Sequence, residues 1–260
     1  MRQRNGLLFV LVLLAAPVRA ADHNNLDHNR PSRVEDAEPI AFREQELDLG
    51  LDLGWPRRGP SGGLFDLEYL YGIAPNTHVE LGGRFAAGGV GERRDRRFEF
   101  AEASLGAFHQ FQRETERSPA FALRGDLFFP TARGAKGLAF RLRAIASRTV
   151  GRQGRVHANL DLNAAPGAAA DARNFHPTLT LGYSRPLGYP RSFTRTLVAD
   201  LAVRAGEARG GGPLLSPGIG IRRQISRQTV LDYGIQTDLI GFRGANRDRL
   251  RLIVGFSHSF

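Results

Sequence analysis

The stretch from Leu250 to Phe260, Leu-Arg-Leu-Ile-Val-Gly-Phe-Ser-His-Ser-Phe, repeats with a period of two. Leu250, Leu252, Val254, Phe256, His258 and Phe260 fall on one side of an extended chain. Arg251, Ile253, Gly255, Ser257 and Ser259 fall on the other. Side chains alternate across a strand, so this pattern predicts a strand with one apolar face. It stops on an aromatic residue in mid-strand. The last strand of a secreted soluble β-sandwich has little use for such an ending. The closing strand of a membrane barrel does, because its final aromatic joins an interfacial girdle. On that reading Leu250, Leu252, Val254, Phe256 and Phe260 form the terminal sorting strand presented to the barrel-assembly machinery.

The same period recurs upstream. Leu47, Leu49, Leu51, Leu53 and Trp55 alternate with Asp48, Gly50, Asp52 and Gly54, and Phe65, Leu67, Tyr69, Tyr71 and Ile73 alternate with Asp66, Glu68 and Gly72. Pro75-Asn76-Thr77 is a tight turn into Val79, Leu81, Gly83 and Phe85. Further strands are predicted at 97–112, 120–129, 138–150, 156–162, 178–184, 196–205, 218–225, 229–240 and 249–260. Short turns tend to alternate with longer glycine-rich loops, such as 87–96 and 206–217. About twelve strands, with ten or fourteen the alternatives, and both chain ends on one side make an even-numbered, antiparallel, all-β transmembrane barrel.

The first residues carry a different signal. Arg2 and Arg4 precede the apolar run Leu7–Leu14, and Pro17-Val18-Arg19-Ala20 supplies small residues for cleavage after Ala20. Residues 1–20 therefore read as a signal peptide, too short in its apolar part to span a bilayer as a helix. Residues 21–44 are polar and read as a flexible periplasmic segment, with His23 and His28 solvated rather than bound to metal. The barrel then occupies 45–260. There is no cysteine, so no disulfide framework is available. The formal charge of +10 falls to +7 once Arg2, Arg4 and Arg19 are removed, and almost all of it is arginine. The arginines form no block, and an exported chain meets little nucleic acid, so nucleic-acid binding is set aside.

Asp48, Asp52, Asp66, Glu68, Glu80, Arg84, Glu102, Arg124, Asp126, Arg141 and Arg143 fall mainly on the polar phases of their strands. An arginine facing lipid at mid-bilayer costs about 2–4 kcal/mol, so these residues are expected to line the lumen. Opposed rings of charge can select solutes or cross-link into a plug of side chains. A passive channel for small molecules is the favoured function. A structural or adhesive barrel acting through its loops is the alternative, and a lipid-modifying enzyme is less favoured. None of the seven histidines is followed two places on by serine, so the local His-x-Ser arrangement of the outer-membrane phospholipase is absent. No cofactor is implied. The partners implied are outer-membrane lipids, lipopolysaccharide, the assembly machinery and a small solute, in a Gram-negative outer membrane.

At Tyr71-Gly72-Ile73-Ala74-Pro75-Asn76-Thr77-His78-Val79-Glu80-Leu81-Gly82 the chain resembles the outer-membrane proteins grouped with the phenol-degradation meta-pathway (MetA type), which share a Tyr-Gly, turn, apolar-Glu-apolar hairpin. Leu123–Thr131, Gly220–Ile235 and Gly255–Phe260 are similar in style. After Pro130-Thr131 the chain has Ala132-Arg133-Gly134 where the family often has glycine. The resemblance covers most of the mature chain as a pattern of strands and turns, without a catalytic signature. It implies a barrel of about twelve strands that passes small, aromatic or hydrophobic molecules.

Overall fold

A computed structural model describes residues 24–57, 59, 61–88, 98–132, 137–166, 172–188, 191, 194–206, 209, 211–241 and 248–260. The predicted signal peptide and His23 lie outside the described residues.

The chain forms a closed antiparallel barrel of twelve strands: β1 (Gln45–Pro56), β2 (Gly62–Ala74), β3 (Thr77–Gly88), β4 (Glu99–Gln112), β5 (Ala120–Pro130), β6 (Ala139–Val150), β7 (Gly154–Ala164), β8 (Phe175–Pro186), β9 (Arg195–Arg204), β10 (Leu214–Gln224), β11 (Thr229–Gln236) and β12 (Asp248–Ser259). Each strand pairs with its neighbours in sequence, and β12 returns to β1 from Glu46↔Ser259 to Trp55↔Leu250. The amide of Phe260 donates to the carbonyl of Gln45 at 2.9 Å, so pairing continues to the last residue. Closure leaves no free edge among the described strands, so neighbouring strands satisfy one another's backbone groups without water.

Distribution of side chains is inverted relative to a water-soluble domain. Leu67, Leu81, Leu105, Leu160, Leu181, Leu201, Ile219 and Ile235 point outward and exposed. Asp48, Glu80, Arg124, Arg143, Asn159 and Asp232 point inward and buried. Exposed aromatics gather toward both rims: Trp55, Phe98, Phe100, Phe129, Phe140 and Phe175 at the end of the longer loops, and Tyr71, Phe111, Phe121 and Phe260 at the end of the short turns. An apolar belt between two aromatic girdles is the exterior a bilayer requires.

Two strand boundaries differ from the sequence reading by four residues, the largest departures. β10 begins at Leu214, inside the stretch read as a loop, because Gly210–Pro217 carries glycines and two prolines. Pro217 is accommodated where the β10–β11 ladder breaks: pairing runs to Gly218↔Gln236 and resumes two residues beyond the proline at Leu215↔Ile240. A proline has no N–H to donate, so on that side it sits at an interruption, while the β9–β10 ladder runs unbroken past it at Pro217↔Leu201. The predicted strand 229–240 is accordingly split, with Ile240–Gly241 a two-residue continuation of β11.

Leu181, midway along β8, is 52% exposed and faces out. Leu181→Arg is expected to lower stability in lipid vesicles by about 2–4 kcal/mol, read from reversible urea unfolding. An unchanged midpoint would remove Leu181 from the lipid-facing belt.

Candidate functional site: a lumen filled from one end

Residues 24–40, part of the segment that composition reads as a mobile tail, run inside the barrel, and 41–43 are exposed. The segment enters at the short-turn end, where Thr196 at the start of β9 donates to Asn24. It turns near the middle of the lumen and returns to the same end to begin β1, where the Gly72 amide donates to the Glu44 carbonyl at 3.0 Å and the Arg43 amide to the Gly72 carbonyl at 2.7 Å. Leu26, Val34 and Ala37 are buried in it, and so are Arg30, Glu35 and Asp36.

What holds it is a sequence of charges matched to the wall. Arg222 of β10 donates to Asp27 at 2.6 Å. Arg30 donates to Asp48 at 2.5 Å and Glu68 at 3.2 Å. The amide of Arg33 donates to Asp200 at 2.5 Å. Glu35 receives Arg124 at 3.1 Å and Arg143 at 2.8 Å, while its backbone exchanges two 2.8 Å bonds with the Asn159 amide. Asp36 receives Arg155 at 3.1 Å. Burial pushes the Asp36 carboxyl up to about 7, against the pull of Arg155. Ala37 is clasped between the hydroxyl of Ser147 and the side chain of Gln110.

The wall is also shaped for the segment. A Cβ on Gly234 would lie 2.0 Å from the Pro31 carbonyl oxygen, and one on Gly220 would lie 2.6 Å from Pro31 Cβ. A Cβ on Gly182 would meet Val34 at 2.7 Å. Only glycine admits the plug at these inward positions.

The eleven charges picked out from the sequence are distributed as follows. Asp48 and Glu68 hold Arg30, and Glu80 takes both its oxygens to Arg124 at 2.7 and 2.6 Å. Arg124 also reaches Asp126 at 2.9 Å, and Arg141 reaches the other oxygen of Asp126 at 2.8 Å. Arg143 makes a two-pronged contact with Asp161 at 2.5 and 3.0 Å. Nearer the long-loop end, Arg84 joins Asp66 at 2.6 Å and Glu102 at 3.2 Å, and Asp52 pairs with Arg251. The structure therefore brings all eleven to the interior, and five of them, Glu80, Arg124, Asp126, Arg141 and Arg143, join a single network that passes through Glu35.

Sequence reasoning missed the plug residues Asp27, Arg30, Arg33, Glu35 and Asp36, and the wall residues Asp161, Asp200, Arg222 and Asp232. His28 is buried rather than solvated, with Arg141 donating to its Nε2 at 2.9 Å. One available signal was the density of charges of both signs through Asp27, Arg30, Arg33, Glu35, Asp36 and Glu38. Another was glycine on the polar phase of several strands.

Two cavities flank the segment. One of about 1030 Å³ opens toward the longer loops and is lined by Asp52, Asp66, Arg84, Glu102, Arg141, Arg204 and Arg251 among others. The other, about 230 Å³, lies toward the chain ends beside Asp27, Glu44, Glu46 and Asp48. His28, Arg30 and Glu68 border both. Catalytic chemistry finds little support here. His157 lies between the hydroxyls of Ser147 and Ser184, at 2.9 Å each, but all three are buried and Ser147 is engaged by the plug.

No family model and no curated protein matches the sequence. Solved structures do match in shape. The COG4313 outer membrane channel from Pseudomonas putida F1 superposes with a TM-score of 0.69 at 12% identity, covering 91% of this chain and 100% of the other. The chain has the fold of outer-membrane channels. The KdgM porin matches with a TM-score of 0.57 at 9% identity, over 83% of this chain and 99% of that one. The NanC porin gives 0.58 at 6% identity, over 82% and 98%. At such identities the likeness is one of architecture, with the side chains free to differ.

Two substitutions test the site. Arg124→Gln leaves Glu35, Glu80 and Asp126 without their shared cation, and is expected to cost about 3–5 kcal/mol in urea unfolding. Gly182→Val is expected to dislodge the plug while the barrel stays folded. The readout is trypsin cleavage after Arg33, resisted by the folded wild type and rapid in the variant. Equal protection in both would place the segment elsewhere.

Proposed function

We propose that the protein is a passive outer-membrane channel for small molecules, closed toward the periplasm by its own N-terminal segment. The observation that carries this reading is the pairing of an apolar belt with a charged lumen that opens to the longer loops as a cavity of about 1030 Å³. Chain ends and short turns share one rim, the arrangement of barrels whose ends face the periplasm. Lipid and lipopolysaccharide then surround the belt, and β12 serves the assembly machinery.

Charges of both signs line the outer cavity. That lining favours solutes with polar or charged groups over purely apolar ones, because an apolar solute would have to strip water from paired ions. The resemblance to proteins of the phenol-degradation meta-pathway adds aromatic compounds to the solutes worth testing, those bearing hydroxyl or carboxylate groups first. A purely structural barrel has less in its favour: side chains alone do not fill the lumen, and what fills it is a segment that enters and leaves by one end.

Single-channel recording in planar bilayers tests the reading. Wild type is expected to show small or rare openings. The double variant Arg30→Ala, Glu35→Ala, which cuts four ion pairs to the wall, is expected to conduct at least severalfold more. Silence from both, with heat-modifiable folding on gels, would overturn the channel assignment.

A further inference from the structure

Charge is not balanced evenly along the plug. Around Glu35, Arg124, Arg141 and Arg143 meet Glu80, Asp126 and Asp161, so cations and carboxylates nearly cancel. On the opposite wall they do not. Asp27, Glu46, Asp48, Glu68 and Asp232 surround Arg30 and Arg222, which leaves three uncompensated negative charges among the described residues. Glu46, Asp48 and Asp232 are each more than nine-tenths buried. Unpaired charge at such depth is expensive, so something must offset it.

The geometry indicates what. One oxygen from each of Asp27, Glu46 and Asp48 lies within 4.8 Å of the others. A calcium ion takes oxygen ligands at about 2.3–2.6 Å, so ligand oxygens across its shell stand up to about 5 Å apart. Asp48 is 1% exposed, and its Oδ1 has no hydrogen-bond partner although Oδ2 holds Arg30. Asp232 is fully buried, and neither of its oxygens receives a hydrogen bond. The cavity of about 230 Å³ borders all three candidate ligands, leaving room for the waters that complete a hard cation's shell. A second cluster, His28, Glu68 and Glu80, meets the same distance test. It is already served, because Arg124 occupies both oxygens of Glu80 and Arg141 donates to His28.

We propose that Asp27, Glu46 and Asp48 bind one hard divalent cation, calcium in the first instance, which fastens the N-terminal plug to β1 beside the closing seam of the barrel. Asp27 belongs to the plug, and the two others to the strand that pairs with β12. The ion therefore joins the two parts at the place where the arginines fall short. All-carboxylate ligation selects calcium or magnesium over softer metals. The larger ion fits better, because magnesium demands a tighter and more regular shell.

The test uses the full mature chain refolded into detergent micelles free of lipopolysaccharide, stripped with EDTA and titrated calorimetrically with calcium chloride. One saturable site per chain is expected, and added calcium should raise the melting temperature. Glu46→Gln, whose hydrogen bond in the structure is from the Ser259 hydroxyl, is expected to weaken calcium binding at least tenfold. Asp48→Asn should do the same, whereas Glu102→Gln in the outer cavity should leave it unchanged. Absence of saturable calcium binding by heat-modifiable wild type would overturn the site and leave protons to offset the charge. Undiminished binding by Glu46→Gln and Asp48→Asn would overturn it as well, as adventitious binding to other carboxylates. The titration needs no conductance, so a silent bilayer and a metal-blind protein remain separate results.

Discussion

The structure depends on the cost of facing lipid with a charge. A barrel strand turns alternate residues outward, and an outward arginine near mid-bilayer costs about 2–4 kcal/mol. This chain carries many charged residues, so nearly all those within the strands must point inward, where each needs an opposite partner in a space with little water. Asp66 with Arg84 and Arg143 with Asp161 satisfy one another directly across adjacent strands. Others cannot. Arg124 and Arg143 are neighbours on β5 and β6, and the two guanidiniums repel until a carboxylate lies between them. Glu35 supplies it, one oxygen to each.

The plug is thus as much a part of the wall's electrostatics as the wall is of the plug's. Arg30 reaches the carboxylates of β1 and β2, Arg33 reaches Asp200 on β9, and Asp36 reaches Arg155 on β7. Small residues complete the match, since Gly220 and Gly234 let Pro31 lie against the wall. Such ion pairs add little net stability compared with apolar packing, but they specify position, because any displacement strands several buried charges at once.

How much of this could be read from the sequence follows from the same physics. The strands were legible because the period of two survives in nearly every one, as in Leu47 to Trp55 and Leu250 to Phe260. The inward direction of Asp48, Glu80 and Arg124 followed from the cost of the alternative. The start of β10 was not legible, since Pro217 carries a turn signal that only the broken β10–β11 ladder explains away. The position of residues 24–40 was hidden for a deeper reason. A segment solvated by water and one solvated by the charges of a barrel interior have the same composition. Polarity reports that a chain must be satisfied, and leaves open by what.

The path of that segment sets the direction in which it can move. It enters beside Thr196 and leaves into Gln45 at one rim, so it forms a loop hung from that rim rather than a thread through the bore. No strand has to part for it to withdraw. A pull on the N-terminus from that rim would peel away Asp27, then Arg30, then Arg33, each contact yielding before the next is loaded. A push from the opposite rim would load Arg30, Arg33 and Glu35 together against both walls. The closure is mechanically one-sided: weak to a small tug from the end where the chain begins, and stiff to pressure from the other.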